Sequence, residues 1–266
     1  MIAPTPDEKA EMEASKAPLL DHLIELRKRL IHAIIAFLIC FGICFAFAKQ
    51  IYAFLTAPLA HALGAGHHMI YTALYETFFT YVKVGMFAGL CLAFPIIAAQ
   101  IWMFVAPGLY KHERRAFLPF LLATPVLFAI GAAFVMYVML PYAIRFFAGY
   151  ETPGGPDTLS IQLQPKVSEY LDFVMTLIFA FGLTFQMPVL LSLLGRVGIV
   201  TSAQLRSAWR YSVVGIVAVA GVLTPPDVVS MLSLAVPLVG LYEVSIWCVK
   251  LIERDRAREE APAGAG

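Results

Sequence analysis

The chain has 266 residues, of which 60% are hydrophobic and only 14% are charged, and its mean hydropathy is +0.79. Soluble domains average about 45–50% apolar and about 25% charged residues, so this chain has too few charges to cover a soluble surface. The composition therefore excludes an ordinary cytosolic enzyme, a disordered protein and a nucleic-acid-binding protein. The net charge of +1 is uninformative as a sum, whereas the positions of the charges are informative.

Long uncharged runs predict the membrane spans. A helix rises 1.5 Å per residue, so a hydrocarbon core of about 30 Å needs about 20 residues. The last two runs are shorter, and Pro225 and Pro226 break the helix between them. We predict an all-α membrane protein with six transmembrane helices, of which helices 5 and 6 are short; four spans plus a re-entrant hairpin is the alternative. The runs cover residues 30–48, 84–110, 116–144, 173–195, 211–226 and 228–242.

The Lys and Arg residues predict the orientation. Of 19 such residues, 15 fall in segments that six spans would place on one side, together with both termini. Cytoplasmic loops carry this excess, so both termini are expected in the cytoplasm. The polar N-terminus lacks the apolar core of a secretory signal. We expect one integral membrane domain over 1–266, with a flexible cytoplasmic N-terminus at 1–20 and a disordered cytoplasmic tail at 251–266.

Two carboxylates on the cytoplasmic side form a candidate binding site. Glu25 precedes the first span and stands four residues before Arg29, so a local ion pair is one interpretation. Glu113 lies among Lys, His and Arg residues in the connection between helices 2 and 3, where it could simply neutralise that loop. Together the two acids could bind two guanidinium groups, because arginine binds carboxylates bidentately and lysine does not.

Polar residues within or beside the later spans are further candidates. Gln186 lies midway along helix 4, where it either forms an interhelical hydrogen bond or contacts a segment entering the membrane. Asp227 is expected to cap helix 6, and Glu243 either reaches the interface or lines a cavity. The sequence has no Walker A, GxSxG or HExxH motif and no metal-ligand spacing. We therefore predict a protein that is not an enzyme and has no cofactor.

Five segments, in this order, carry a resemblance to the TatC family of the twin-arginine protein translocase. They are HLIELRKRL at 22–30, AP at 57–58, QIWMFVAPGLYKHERR at 100–115, FGLTFQMPV at 181–189 and GVLTPPDVVS at 221–230. The resemblance extends over roughly 19–250. It implies a multi-pass protein of the cytoplasmic membrane that binds twin-arginine signal peptides. With single-span TatA and TatB partners, such a protein exports folded proteins using the proton-motive force. A homo-oligomer within a receptor complex is also implied, and nucleic acid is not a partner.

The resemblance also assigns residues, by motif position. The signal-peptide site would comprise Glu25, Glu113, Arg27, Arg29, Phe104, Gln100 and Pro95. Intramembrane or partner contacts would comprise Gln186, Asp227, Pro58 and Thr224. Many relatives carry Glu in helix 4 where this chain has Gln186, so a role that needs an ionisable group there does not carry over, whereas hydrogen bonding does.

Two other classes of protein remain as alternatives. A small-molecule secondary transporter would bind its substrate at the membrane midplane, usually between internal repeats, and no repeat is visible in this sequence. An intramembrane enzyme would need paired catalytic groups at depth, where the chain offers Gln, Ser and Thr. The transporter is the stronger of the two alternatives.

Overall fold

The computed structural model describes residues 6–64, 68–105, 114–155, 159–223 and 228–260. In these residues the regular structure is helical, apart from two isolated β-bridges. The helices are α1 (Pro6–Ala46), α2 (Ala48–Leu63), α3 (Glu76–Val105), α4 (Arg114–Phe134), α5 (Leu140–Ala148), α6 (Val167–Thr184), α7 (Met187–Val197), α8 (Ser202–Ser207), α9 (Trp209–Leu223) and α10 (Val228–Glu260).

Five helical segments among the described residues are long and apolar enough to cross a membrane, and α9 is a sixth, shorter apolar helix. The prediction of an all-α membrane protein with six apolar helices is thereby confirmed. The five segments are His22–Ala46, Glu76–Phe104, Pro119–Ala148, Val167–Val197 and Met231–Arg256. Their orientation in a membrane stays a prediction. We call the end of the bundle that carries α2 the outer end and the end that carries α8 the inner end.

Proline explains why two of the spans are not single α-helices. A five-residue π-helical turn, Val135–Met139, joins α4 to α5 just before Pro141. Proline has no N–H to donate, and the wider turn lets Leu140 N bond to Val135 O instead. The span of α6 and α7 is interrupted at residues 185–186, two positions before Pro188. Gln186 therefore lies in a turn inside the bundle rather than in a continuous helix.

Only the first helix of the C-terminal pair is short. With 15 residues, α9 is confirmed as short, but α10 has 33 residues, so the expectation of a short helix 6 is wrong. A disordered tail was expected from residue 251, yet the chain is helical through Glu260. The chain is likewise helical from Pro6, within the segment at 1–20 expected to be flexible.

Contacts with α8 explain why α10 continues beyond its uncharged run. Polar side chains at 242–253 bind the short helix instead of ending the span. Tyr242 Oη donates to Leu205 O at 2.8 Å, Arg206 Nη1 to Glu243 Oε1 at 2.8 Å, and Ser202 N to Glu253 Oε1 at 2.8 Å. Charge-free run length underestimated this helix because it ignores such pairing at the inner end.

The core is centred on α6. The apolar window of the α6–α7 span is 56% buried, against 11% for the window in α1, so α6 is central and α1 peripheral. The core extends to α2 at the outer end, where Leu55 and Leu59 are buried and Tyr170 Oη donates to Leu55 O at 3.1 Å. The largest fully buried side chains include Phe181, Leu140, Leu171, Leu177 and Leu234.

Two glycines let α1 approach α3 closely. Gly85 and Gly89 are four residues apart on α3 and face Phe45 and Phe41 of α1. A Cβ atom built on Gly89 would lie 2.7 Å from the Phe41 Cα, so only glycine fits without a shift. Small residues at this spacing allow close helix packing in membranes. The contact fixes α1, otherwise largely exposed, against the bundle.

A buried carboxylate organises the outer end. Glu76, at the start of α3, is 8% exposed. Its oxygens accept hydrogen bonds from Thr72 N at 2.8 Å, Ala73 N at 3.3 Å and Ser168 Oγ at 2.7 Å. The Lys166 ammonium lies 4.0 Å from the same carboxylate. Glu76 thus ties the turn before α3 to the start of α6, a role that sequence analysis missed.

Candidate functional site

An ion pair on α1 is the starting point of the candidate site. Arg29 donates from Nη2 to Glu25 Oε1 at 2.8 Å and from Nε to the same oxygen at 3.2 Å. The two residues are one helical turn apart, as the sequence predicted. The Glu25 and Arg29 side chains are 33% and 27% exposed, so the pair is partly shielded yet reachable from solvent.

The same guanidinium reaches across to α3. Arg29 Nη1 lies 3.5 Å from Gln100 Oε1 and 3.3 Å from Met103 Sδ. About two turns from Arg29 towards the N-terminus, the His22 ring stacks on Phe104 with centroids 4.3 Å apart. Glu25, Arg29, Gln100 and Phe104 are therefore brought together on one seam between the two helices. We call this set, with His22 and Met103, the α1–α3 seam.

A cavity of about 480 Å³ opens at this seam. Its chemistry suits a cation with several N–H donors, because it offers a carboxylate and an amide oxygen. Lys28 and Arg29 also line it, so the cavity would attract an anionic ligand as well. The lining residues are Ile24, Glu25, Lys28, Arg29, His32 and Gln100.

Other predicted site residues lie elsewhere or are not described. Arg27 is exposed. It is two residues after Glu25, which corresponds to a rotation of about 200° around the helix, so it points away from the cavity. Pro95 is exposed on α3, five residues before Gln100. Glu113 lies outside the described residues. Sequence analysis did not single out His22 or Met103, although His22 stands at i−3 from Glu25 on the same face.

Gln186 forms hydrogen bonds within the bundle. It is 7% exposed, and its Nε2 donates to Thr124 O at 2.9 Å and Gly182 O at 3.3 Å. Thr124 Oγ1 accepts from Trp102 Nε1 at 3.2 Å, which links Gln186 to the part of α3 that carries the seam. The bond from Nε2 to Thr124 O joins two helices, as in the interhelical interpretation of Gln186. Its Oε1 is buried without a partner among the described residues.

The remaining predicted contact residues are Pro58, Thr224 and Asp227. Pro58 is half-buried within α2, where the helix continues through it. Thr224 and Asp227 lie outside the described residues. The expected capping role of Asp227 therefore stays a prediction.

A second, more open groove of about 730 Å³ lies between α3 and α6. Lys83 lies in it, with Nζ 2.8 Å from Asp172 Oδ2 and 3.1 Å from Oδ1. Both side chains of this ion pair are about half exposed. The groove is otherwise largely apolar, and Gln186 does not line it. Its main apolar lining residues are Phe37, Met86, Phe87, Met175, Phe179 and Leu183.

A metal-binding role has no support in the described part of the chain, where no group of three His, Cys, Asp or Glu residues could hold an ion. The four cysteines are buried or half-buried in apolar helices. The described contacts of the site are an ion pair, hydrogen bonds and a ring stack.

Comparison with known proteins gives a consistent result. A family model described as "Sec-independent protein translocase protein (TatC)" matches residues 21–237. A protein of that name from Magnetococcus marinus is 47% identical over 246 residues, covering 92% of this chain and 89% of the relative. The protein of the same name from Escherichia coli K12 is 41% identical, covering 91% and 92% of the two chains. A crystal structure described as the twin arginine translocase receptor TatC superposes with a TM-score of 0.76 at 39% identity, covering 88% of this chain and all of the other.

Proposed function

The chain belongs to the TatC family of Sec-independent protein translocase proteins, and we propose that it binds twin-arginine signal peptides at the α1–α3 seam. Membership makes it a multi-pass membrane protein and a component of a protein translocase rather than an enzyme. The small-molecule transporter considered above finds no support in these similarities.

The observation that carries the proposal is that Glu25 already holds a guanidinium. Two nitrogens of Arg29 bond to its Oε1, at 2.8 and 3.2 Å, beside the amide oxygen of Gln100. An arginine of a signal peptide would find the same acceptors. The planar guanidinium offers five N–H donors in a fixed fork, whereas a lysine ammonium is a point charge with three. Such a site would therefore prefer arginine to lysine.

A twin-arginine motif needs a second acceptor, and we assign that role to Glu113. It follows α3, the helix that carries Gln100, Met103 and Phe104. Arg27 and Pro95 stay in the proposal through motif position alone. Phe104, stacked on His22, would flank the peptide beside the bound arginines.

The apolar part of the signal peptide would lie in the membrane, in the groove between α3 and α6. Aromatic and aliphatic side chains line that groove, and because it is open rather than enclosed, a helix would be able to enter it from the side. Gln186 does not line this groove, and its amide oxygen, which has no partner among the described residues, is the group it would offer to a partner segment.

The proposal extends to the setting of the protein. We place it in the cytoplasmic membrane with both termini in the cytoplasm, because six spans would put 15 of its 19 Lys and Arg residues on the same side as the termini. TatA- and TatB-type single-span proteins would dock near α9, whose 15 residues reach only about 22 Å and would thin the bilayer locally. Pro58, Thr224 and Asp227 stay in the proposal as partner contacts through motif position alone. A homo-oligomeric receptor complex and the proton-motive force complete the expected system.

Peptide binding tests this function directly. The purified protein in detergent is titrated with a fluorescent signal peptide that carries Arg-Arg, and with the same peptide carrying Lys-Lys. We expect the Arg-Arg peptide to bind at least about tenfold more tightly, since hydrogen bonds to charged groups contribute about 1.5–3 kcal/mol each. The preference should be lost in Glu25→Gln and in Glu113→Gln.

Glu169→Gln is the matched control. It removes the same charge from a side chain that is 76% exposed on α6, near the outer end. Equal binding of both peptides to the unaltered protein would refute arginine recognition. Equal losses in Glu25→Gln and Glu169→Gln would show that recognition does not take place at the seam.

A further inference from the structure

We propose that Arg29 is an internal competitor for the signal-peptide site, which an incoming arginine must displace from Glu25. This inference rests on the proposed function and adds to it a residue that sets specificity. Arg29 is then neither a passive neighbour nor a group that binds the peptide. It occupies the acceptors while the site is free.

The contacts of Arg29 support this assignment. Nε and Nη2 engage Glu25, and Nη1 faces Gln100 and Met103, so each guanidinium nitrogen has a contact within the seam. A peptide arginine that used Glu25 Oε1 and Gln100 Oε1 would need the same space. A guanidinium that binds the carboxylate bidentately uses both of its oxygens, and Arg29 already holds Oε1, so binding in that geometry is an exchange of one guanidinium for another.

The charge balance of the cavity points the same way. Glu25 is the one carboxylate in its described lining, and Lys28 and Arg29 are both cationic. A signal peptide would add two further positive charges. If Arg29 stayed in place, the new guanidinium would meet an unfavourable like charge at contact distance. Swinging Arg29 outward, towards solvent, removes this repulsion and leaves the carboxylate paired.

The exchange is energetically feasible because the existing pair is weak. Both side chains are about a third exposed, and ion pairs of this type on one helix are readily broken. The competitor also raises selectivity. A ligand that replaces a guanidinium must match its directional hydrogen bonds, and a lysine ammonium cannot match the fork. Arg29 should therefore weaken the binding of all cationic peptides, and that of Lys-Lys peptides most.

Peptide titrations of Arg29→Gln test the exchange. We expect the Arg-Arg peptide to bind about two- to fivefold more tightly than to the unaltered protein, the range that partly exposed ion pairs allow. The preference over the Lys-Lys peptide should fall. Arg29→Lys keeps the charge but not the fork of donors, so its affinity for the Arg-Arg peptide should lie between those of the unaltered protein and Arg29→Gln. Thermal unfolding in detergent verifies that each variant is folded.

Two comparisons separate displacement from a general charge effect. Lys28→Gln removes the same charge from the same cavity without a hydrogen bond to Glu25, and its gain should be smaller and disappear at high salt. In a Glu25→Gln background, Arg29→Gln should no longer tighten binding, because the group for which it competes is gone.

Each other result overturns the inference. Weaker Arg-Arg binding in Arg29→Gln would show that Arg29 positions Glu25 for the peptide. An equal gain in Lys28→Gln, or a gain that persists without Glu25, would reduce the effect to net charge. Failure of the proposed function itself is distinct, because the unaltered protein would then bind Arg-Arg and Lys-Lys peptides equally.

Discussion

The close contact between α1 and α3 leads to a quantitative prediction for Gly89→Ala. The new Cβ would lie 2.7 Å from the Cα and 2.8 Å from the backbone nitrogen of Phe41. Ordinary carbon contacts begin near 3.4 Å, so the helices must separate by about 0.7 Å. The obstructing atoms are backbone, so no side-chain rotation relieves the clash. Overpacking of this kind costs about 1–3 kcal/mol.

Gly42→Ala is the matched control on α1. Nothing lies within 4 Å of a Cβ built there. Alanine also favours a helix over glycine by about 1 kcal/mol, and this gain is shared by both variants. We therefore expect the free energy of unfolding of Gly89→Ala to be about 1–3 kcal/mol lower than that of Gly42→Ala. Gly85→Ala, whose Cβ would lie 3.1 Å from the Phe45 Cα, should lie between them.

The assay is reversible unfolding of the purified variants in mixed detergent, followed by signal-peptide titration. Separation of the helices should also weaken the contact between Arg29 Nη1 and Gln100 Oε1, which at 3.5 Å is already long. The Gly89→Ala protein should then bind the peptide differently from the Gly42→Ala protein. Equal unfolding free energies for the two variants would refute the packing argument, since they share the propensity change and differ in the clash.

Two further predictions concern buried polar groups. Glu76→Ala should lower the free energy of unfolding, measured by thermal unfolding, by about 2–4 kcal/mol, because it leaves several donors near the outer end unpaired. The control Glu169→Ala, at an exposed position, should change it by less than about 0.5 kcal/mol. Similar losses in both variants would contradict the role of Glu76. Gln186→Leu should lower the free energy of unfolding by about 0.6–2 kcal/mol in the same assay, because the bond to Thr124 O is lost. The control Thr184→Val removes only a bond within its own helix and should lower it by less. The reverse order would exclude an interhelical role for Gln186.

The site illustrates what sequence pattern conveys. The Glu25–Arg29 pair followed from four-residue spacing, because neighbours one turn apart on a helix meet whatever surrounds them. Gln100 and Phe104 were named by motif position, and no local rule brings them to Glu25. Their contacts depend on α1 lying against α3, which Gly85 and Gly89 permit.

Hydropathy and charge pattern alone predict the class of the protein and most of its spans, since charges are costly in a bilayer and uncharged runs therefore mark the helices that cross it. Which helices are neighbours became visible in the folded protein alone. The fold paired Lys83 with Asp172, buried Glu76 beside Ser168, and extended α10 through the contacts of Glu243 and Glu253 with α8. These pairings join residues distant in the chain, and their energies depend on packing geometry that hydropathy does not encode.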